Sequence, residues 1–286
     1  MKILITGAKG QLGWELQKVL SKHQLFLADK DNFDITKAQL VLGKTKVFNP
    51  AVIVHTAAYT AVDEAERHPH RAFLVNSKGT ENVARAAKAV GARLIAISTD
   101  YVFAGRRQHR PYTEKDRPNP KSIYGKSKLA GEKAAQKFGP PETFILRTAW
   151  LYGEHGENFV KTILTLLQKK QEIKVVADQI GSPTWANELA RAIAAFIRQK
   201  TAKPGIYHVS GLGPASWYDF ARVIRDQANL KTKIVPCRTQ EFPRPAPRPA
   251  YCYLSKAKLH RSGIFKMRPW PESYAQFWRL AKNKLR

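Results

Sequence analysis

The chain has 286 residues, only two cysteines, and 49 Lys and Arg against 22 Asp and Glu, a formal charge of +27. This length supplies a sizeable core without staples, and so few cysteines exclude a disulfide framework, so Cys237 and Cys252 are read as reduced thiols rather than one bridge. The apolar runs are strand-sized, far short of the roughly 20 residues that cross a bilayer, which argues against a membrane role.

Met1 leads without a charged leader into a first strand over residues 2–6, so export is not expected and the chain is placed in the cytoplasm. A helix over 11–20 follows, then strands over 25–28 and 52–55. A long helix over 72–90, stopped by Gly91, precedes strands over 94–97 and 144–147. Short apolar runs alternating with amphipathic helices predict an α/β fold, a Rossmann-type doubly wound parallel sheet, with residues 1–150 as an NAD(P)-binding domain. Past Trp150 the regularity weakens. Val175, Ile206-Tyr207-His208 and Ile234-Val235 read as isolated short strands, and residues 188–198 as one clear helix. A smaller C-terminal α/β substrate-binding lobe is expected over 151–286, with 178–200 returning to the first domain. The run Pro243-Arg244-Pro245-Ala246-Pro247-Arg248-Pro249 lacks amide donors at alternate positions and must be a loop.

Three motifs sit where strands hand over to helices. The first is Thr6-Gly7-Ala8-Lys9-Gly10-Gln11-Leu12-Gly13, whose glycines allow a tight turn and a close approach of backbone to a pyrophosphate received at the helix N-terminus. Its Gly-x-x-Gly-x-x-Gly spacing departs from the tighter dinucleotide fingerprint. At the end of the second strand Asp29 is placed to accept ribose hydroxyls, whereas Lys30 beside it would receive a ribose phosphate, so NADPH and NADH both stay open. Ala57-Ala58-Tyr59-Thr60 supplies small residues at the carboxyl end of another strand. The strongest local signal is Tyr124-Gly125-Lys126-Ser127-Lys128, with Tyr124 and Lys128 four apart on one helical face. A lysine ammonium beside a phenol is expected to lower its pKa from about 10 and make it a proton donor to a carbonyl oxygen. Ser98-Thr99-Asp100-Tyr101-Val102-Phe103 puts hydroxyls at the end of the preceding strand, where Ser98 or Thr99 would anchor that oxygen.

These segments in this order resemble the extended short-chain dehydrogenase/reductase family, and within it the dTDP-4-dehydrorhamnose reductases. Ala61-Val62-Asp63-Glu64-Ala65-Glu66, Leu129-Ala130-Gly131-Glu132, Arg147-Thr148-Ala149-Trp150-Leu151-Tyr152, Gly181-Ser182-Pro183-Thr184 and Arg248-Pro249 continue the likeness almost end to end. The resemblance implies reduction of the C4 ketone of a dTDP-linked keto-sugar by hydride from NADPH or NADH. It implies Thr99, Tyr124 and Lys128 as the catalytic trio, with Tyr124 and Lys128 also meeting the cofactor. Gly7, Gly10, Gln11, Leu12, Asp34, Ile35, Ala57, Ala58, Tyr59 and Asn76 fall on the cofactor side, and Asp100, Tyr101 and Trp150 near the sugar. Arg248 is first in line for the diphosphate.

Two positions depart from the family pattern. Where it usually shows Asn-Ser after Arg-Pro, this chain has Tyr251-Cys252-Tyr253-Leu254. Asn187 stands where some relatives use a glutamate to bridge a dimer through a metal, so no metal is expected, and the chain is read as a monomer or homodimer. A different nucleotide-sugar 4-keto reductase, an epimerase or a dehydratase uses the same tyrosine and lysine, and a non-catalytic regulatory subunit shares the fold, though the intact trio argues against the last. The basic excess, including Arg106, Arg107, His109 and Arg110, is read as solvated loops and steering of anionic ligands, with nucleic-acid binding ranked last.

Overall fold

A computed structural model describes residues 1–106 and 110–285, so Arg107 and His109 of the basic run lie outside the described residues. In chain order the first half holds β1 Lys2–Thr6, α1 Gln11–Val19, β2 Gln24–Ala28, α2 Ala38–Phe48, β3 Val52–His55, α3 Val62–Arg67, α4 Pro69–Phe73, α5 Thr80–Ala89, β4 Arg93–Thr99, α6 Ile123–Phe138 and β5 Thr143–Thr148. The second half holds β6 Leu151–Tyr152, α7 Phe159–Lys169, β7 Glu172–Val176, β8 Ile180–Gly181, β9 Thr184–Trp185, α8 Ala186–Arg198, β10 Gly205–His208, β11 Ala215–Ser216, α9 Trp217–Gln227, β12 Lys233–Cys237, α10 Ala257–Arg261 and α11 Trp270–Leu285.

Six strands form one parallel sheet in the order β10-β5-β4-β3-β1-β2. Its strands are nearly continuous apolar runs because both faces are covered. Ile3, Ile5, Val52, Val54, Ile95, Phe144 and Leu146 pack against Leu12 and Leu16 of α1 and Leu189 and Ile193 of α8. The alternate residues Leu4, Ile53, Leu94 and Ile145 pack on the opposite face with Val41 of α2, Val83 and Ala87 of α5 and Ala135 of α6. Each such aliphatic side chain contributes roughly 1.5–3 kcal/mol on burial. The chain leaves β1 for β2 on one side and returns by α2 to β3 on the other, so the strand order reverses between β1 and β3. The crevice at their carboxyl ends is where an open α/β sheet takes a ligand.

Residues 69–89 run as one helical stretch, with α4 and α5 joined through a wide π-type turn, Leu74–Gly79, that sets the Asn76 side chain against the loop after β3. The segments expected as isolated short strands are paired: Val175 of β7 lies in a strand beside β12, which holds Ile234-Val235. Residues 206–208 are not an isolated strand either. They belong to β10, which pairs in parallel with β5 and completes the main sheet. A separate aromatic core gathers Tyr152, Phe220, Tyr274 and Phe277 among α7, α9 and α11, beside the small parallel pair β7–β12.

Glycines set how closely α6 approaches its neighbours. A Cβ on Gly131 would stand 2.2 Å from the Asn76 carbonyl oxygen, while one on Gly43 in α2 would meet nothing within 4 Å. Gly131→Ala is therefore expected to cost about 1–3 kcal/mol by overpacking, and Gly43→Ala to stabilise by about 0.5–1 kcal/mol, both read from urea unfolding midpoints.

Candidate active site

At the β1–α1 junction Gly7 adopts φ +67°, and a Cβ there would lie 2.8 Å from the Ala57 backbone. A Cβ on Gly13 would lie 2.2 Å from the Gly7 carbonyl oxygen, so loop and first turn are in contact. Helix α1 begins at Gly10 with no side-chain cap and no acidic residue in its first turn. Its free N–H groups and dipole suit an anion, and the closely approached, side-chain-free backbone fits a dinucleotide pyrophosphate. Gln11 is held by the Glu157 carbonyl oxygen and by Asn158. Leu12 is buried in the core, so only its backbone is available to a ligand.

At the end of β2 the Asp29 carboxylate accepts from the Lys9 and Lys30 backbone N–H groups, both at 2.8 Å, tying the glycine loop to this strand end. The Lys30 side chain is exposed. Asp34 accepts from both the hydroxyl and the N–H of Thr36, which holds its carboxyl below the usual range. Ile35 is buried and packs into the space left by Gly79. After β3, Ala57, Ala58 and Tyr59 run past Gly7. The Asn76 side chain accepts from the Tyr59 N–H (2.7 Å) and donates to the Tyr59 carbonyl oxygen (3.1 Å) and the Ser127 hydroxyl (2.9 Å). It is thus spent on holding this loop to α6 rather than offered as a cap or a ligand contact.

Helix α6 crosses the carboxyl edge of the sheet. Ser122 caps it by accepting from the Gly125 N–H at 3.0 Å, and a Cβ on Gly125 would stand 2.3 Å from the Tyr101 carbonyl oxygen. Tyr124 therefore sits edge-on to Tyr101, ring centroids 5.5 Å apart, and faces the Thr99 hydroxyl. Burial pushes the phenol up to about 12, with Thr99 pulling it back. This corrects the expectation of a lowered pKa, because the Lys128 ammonium donates to the Ile97 carbonyl oxygen at 2.7 Å instead of acting on the phenol. Lys128 itself is pulled down to about 8 by burial, which Glu132 one turn along opposes.

Ser98 is not the anchoring hydroxyl. It points under the sheet edge and donates to Glu132 at 2.5 Å, which leaves Thr99 facing the site. Glu132 also takes two nitrogens of Arg147, at 2.8 and 2.7 Å, with both side chains almost fully buried. His55 lies beside Lys128, its ring bonded to Thr6 (2.7 Å) and Thr80 (3.0 Å), and burial together with the Lys128 charge holds it down to about 3, so it is neutral. Sequence reasoning passed over His55. Its signal was a polar residue closing an otherwise apolar strand.

On the far side Arg248 donates to Asp63 at 2.8 Å, and Asp63 also accepts from the Ala246 N–H, so the proline-rich loop is pinned to α3. Nothing in the sequence marks Asp63 as the holder of Arg248. Trp150 adopts φ 47° and stacks on Trp217 at 3.5 Å between centroids, its indole lying flat on Gly181, which has no room for a Cβ. Asp100 is buried behind Thr99, and Asn187 donates to Glu15 at 2.9 Å. Both cysteines are unpaired and buried. Among the described residues no helix is long and apolar enough to cross a membrane.

A doubly wound parallel sheet with a glycine loop at its reversal point, and a tyrosine and lysine on one helix over its carboxyl edge, defines the class: a Rossmann-type oxidoreductase of the short-chain dehydrogenase/reductase kind. Within that class, the chain belongs to the RmlD substrate binding domain family, whose model matches residues 1–282. It is similar to a crystal structure of a dTDP-4-dehydrorhamnose reductase from Clostridium acetobutylicum, at 43% identity and TM-score 0.95 over 99% of this chain and 100% of that one. It is similar also to the Bacillus anthracis dTDP-4-dehydrorhamnose reductase in complex with NADP, at 42% identity and TM-score 0.93 over 98% and 99%. The spore coat polysaccharide biosynthesis protein SpsK of Bacillus subtilis is 40% identical over 278 residues, 96% of each chain.

Glu132→Gln would leave the Arg147 charge buried with half its partner. It is expected to cost about 3–5 kcal/mol in denaturant unfolding, against less than about 1 kcal/mol if the pair were merely a surface contact.

Proposed function

We propose that this chain reduces the C4 ketone of dTDP-4-dehydro-β-L-rhamnose to give dTDP-L-rhamnose, using NADPH or NADH, in the cytoplasm. The observation that carries this is Thr99, Tyr124 and Lys128 meeting at the carboxyl end of β4, in a chain that aligns end to end with reductases named for that substrate. The bound nicotinamide supplies the hydride. Tyr124 donates the proton to the C4 oxygen, and its high pKa keeps it protonated across the neutral range. Thr99 anchors the same oxygen. Lys128, held by the Ile97 carbonyl oxygen, orients the cofactor ribose.

The glycine loop and the first turn of α1 hold the pyrophosphate, with Asp29, Lys30, Asp34 and Ile35 lining the adenosine end. Asp100, Tyr101 and Trp150 belong to the sugar side, and Arg248 meets the diphosphate as a charge-assisted contact. In this division residues 1–150, with α8 and β10, carry the cofactor, and most of 151–286 carries the nucleotide sugar. Monomer and homodimer both suit this reading, and nucleic acid is not part of it. A second reading, another nucleotide-linked 4-keto-sugar as substrate, is favoured by one feature. Tyr251 and the buried Cys252 stand where the resemblance leads one to expect Asn-Ser, and Cys252 lies against Asp100.

Purified protein with a reduced nicotinamide cofactor and dTDP-4-dehydrorhamnose should oxidise the cofactor. Tyr124→Phe should lower kcat by ~10²–10⁴-fold with cofactor affinity unchanged, whereas Lys128→Met should weaken cofactor binding as well. Absence of turnover with tight cofactor binding would move the assignment to the second reading.

A further inference from the structure

Trp150 is held in two locally unfavourable ways at once. Its backbone sits at φ 47°, a left-handed conformation that a bulky side chain rarely adopts unless something imposes it. Its indole lies over that of Trp217 with centroids 3.5 Å apart and 6° between the planes. That is almost full overlap, whereas aromatic pairs favour an offset or an edge. Neither choice follows from the residue itself, so both are set by its surroundings. Backbone outliers of this sort collect where a side chain has to be aimed.

The surroundings form a clamp. The Trp150 carbonyl oxygen accepts from the Thr184 N–H at 3.1 Å, which pins the backbone. Strands β8 and β11 pair antiparallel, Ala215 opposite Gly181 and Ser216 opposite Ile180, and this short ladder brings both jaws to the one ring. Gly181 lies against one face, where a Cβ would run into the indole. Trp217, the first residue of α9, covers the other, and the Ser216–Asp219 capping box fixes the start of that helix. Trp217 is itself propped. Phe159 of α7 packs on it at 4.4 Å between centroids, and its indole N–H donates to Gln179 Oε1 at 3.1 Å. The Gln179 amide donates in turn to the Thr239 hydroxyl at 3.1 Å, which donates to Asp178 at 2.6 Å. With both faces covered, what remains accessible of the half-buried Trp150 ring is its edge.

Trp150 stands two residues beyond Thr148, and Thr148 pairs with Thr99 across β5 and β4. The clamped ring therefore borders the carboxyl edge of the sheet where Thr99 and Tyr124 meet. We propose that Trp217 is a positioning residue of the sugar site, acting through Trp150: it holds that indole so that the keto-sugar meets its edge, with the C4 oxygen aimed at Tyr124. This deepens the reductase reading and rests on it. A ring free to turn would offer the sugar a broad face on which to slide, and a misplacement of about 1 Å costs on the order of 10²-fold in rate.

Two overlapping indoles couple their electronic transitions, so the wild type should show a far-ultraviolet exciton couplet in circular dichroism. Trp217→Phe and Trp217→Ala should both abolish it. The couplet should survive saturation with dTDP-L-rhamnose, because the sugar uses the edge. A couplet that collapses when this product binds shows the sugar on the face of Trp150 and overturns the proposal. In turnover, Trp217→Ala should lower kcat/KM for the keto-sugar by ~10–10²-fold. Inhibition by dTDP, which carries no sugar, and affinity for the reduced nicotinamide should stay at their wild-type values. Trp217→Phe, which restores a flat face, should recover most of the loss. A loss shared by dTDP makes Trp217 a nucleotide contact and overturns the proposal, as does an Ala variant as efficient as wild type. Should the Ala variant not fold, Gln179→Leu decides, since it releases the Trp217 N–H and keeps the ring: kcat/KM for the keto-sugar falls with dTDP inhibition unchanged, or the proposal is overturned. A wild type that turns over no keto-sugar overturns the reductase reading and the sugar role with it. The couplet, which needs no substrate, tells that outcome apart from an unclamped Trp150.

Discussion

Arg147 on β5 and Glu132 on α6 face each other out of water, joined by two short hydrogen bonds, with Ser98 of β4 closing the carboxylate. Burying an isolated charge costs far more than one hydrogen bond returns, so neither group tolerates displacement from the other. The guanidinium also lies over the Phe103 ring at 5.0 Å, which adds an aromatic face to its surroundings. The α6 helix is thereby tied to both β4 and β5, which pair with each other in parallel. Lys128 is one turn before Glu132 and Tyr124 one turn before that, so whatever fixes Glu132 fixes the reactive side chains. Close approach completes the placement: Gly131 lets α6 touch the wide turn at Asn76, and Gly125 lets it touch the backbone of Tyr101.

Burial then acts on each titratable group of the site according to the sign of its charged form. It raises the acids Tyr124 and Asp100 and lowers the bases Lys128 and His55. The outcome at neutral pH is a protonated phenol, a neutral imidazole and a lysine close to its own titration. A site that must hand over a proton as hydride arrives is served by an acid that keeps its proton until negative charge develops on the substrate oxygen.

Much of this was legible in the chain. Period-two burial on two covered faces makes the strands of the main sheet near-continuous apolar runs, and the Thr99, Tyr124 and Lys128 segments end or follow those runs. What was not legible depends on contacts between distant segments. Residues 206–208 look like a solitary strand until β5 is seen to lack a partner on that side. The π-type turn inside the 72–90 helix brings Asn76 onto Tyr59, seventeen residues away in sequence. The direction of the Tyr124 shift is not legible because spacing on a helix says only that two side chains share a face. It does not say where the ammonium finds its acceptor, and here that is the Ile97 carbonyl oxygen. The task of Asp63 was hidden for the same reason, since its partner Arg248 is 185 residues along the chain.

The central claim is a net delivery of hydride to C4 rather than a transient oxidation that returns it. The most direct measurement follows a deuterium label from C4 of the reduced nicotinamide by mass spectrometry and NMR of the sugar product. The account predicts stoichiometric label at C4 of a rhamnose-configured, dTDP-linked product, with one cofactor oxidised per sugar. An altered sugar formed without label and without net cofactor oxidation would contradict it and identify an epimerase or dehydratase working through the same tyrosine and lysine.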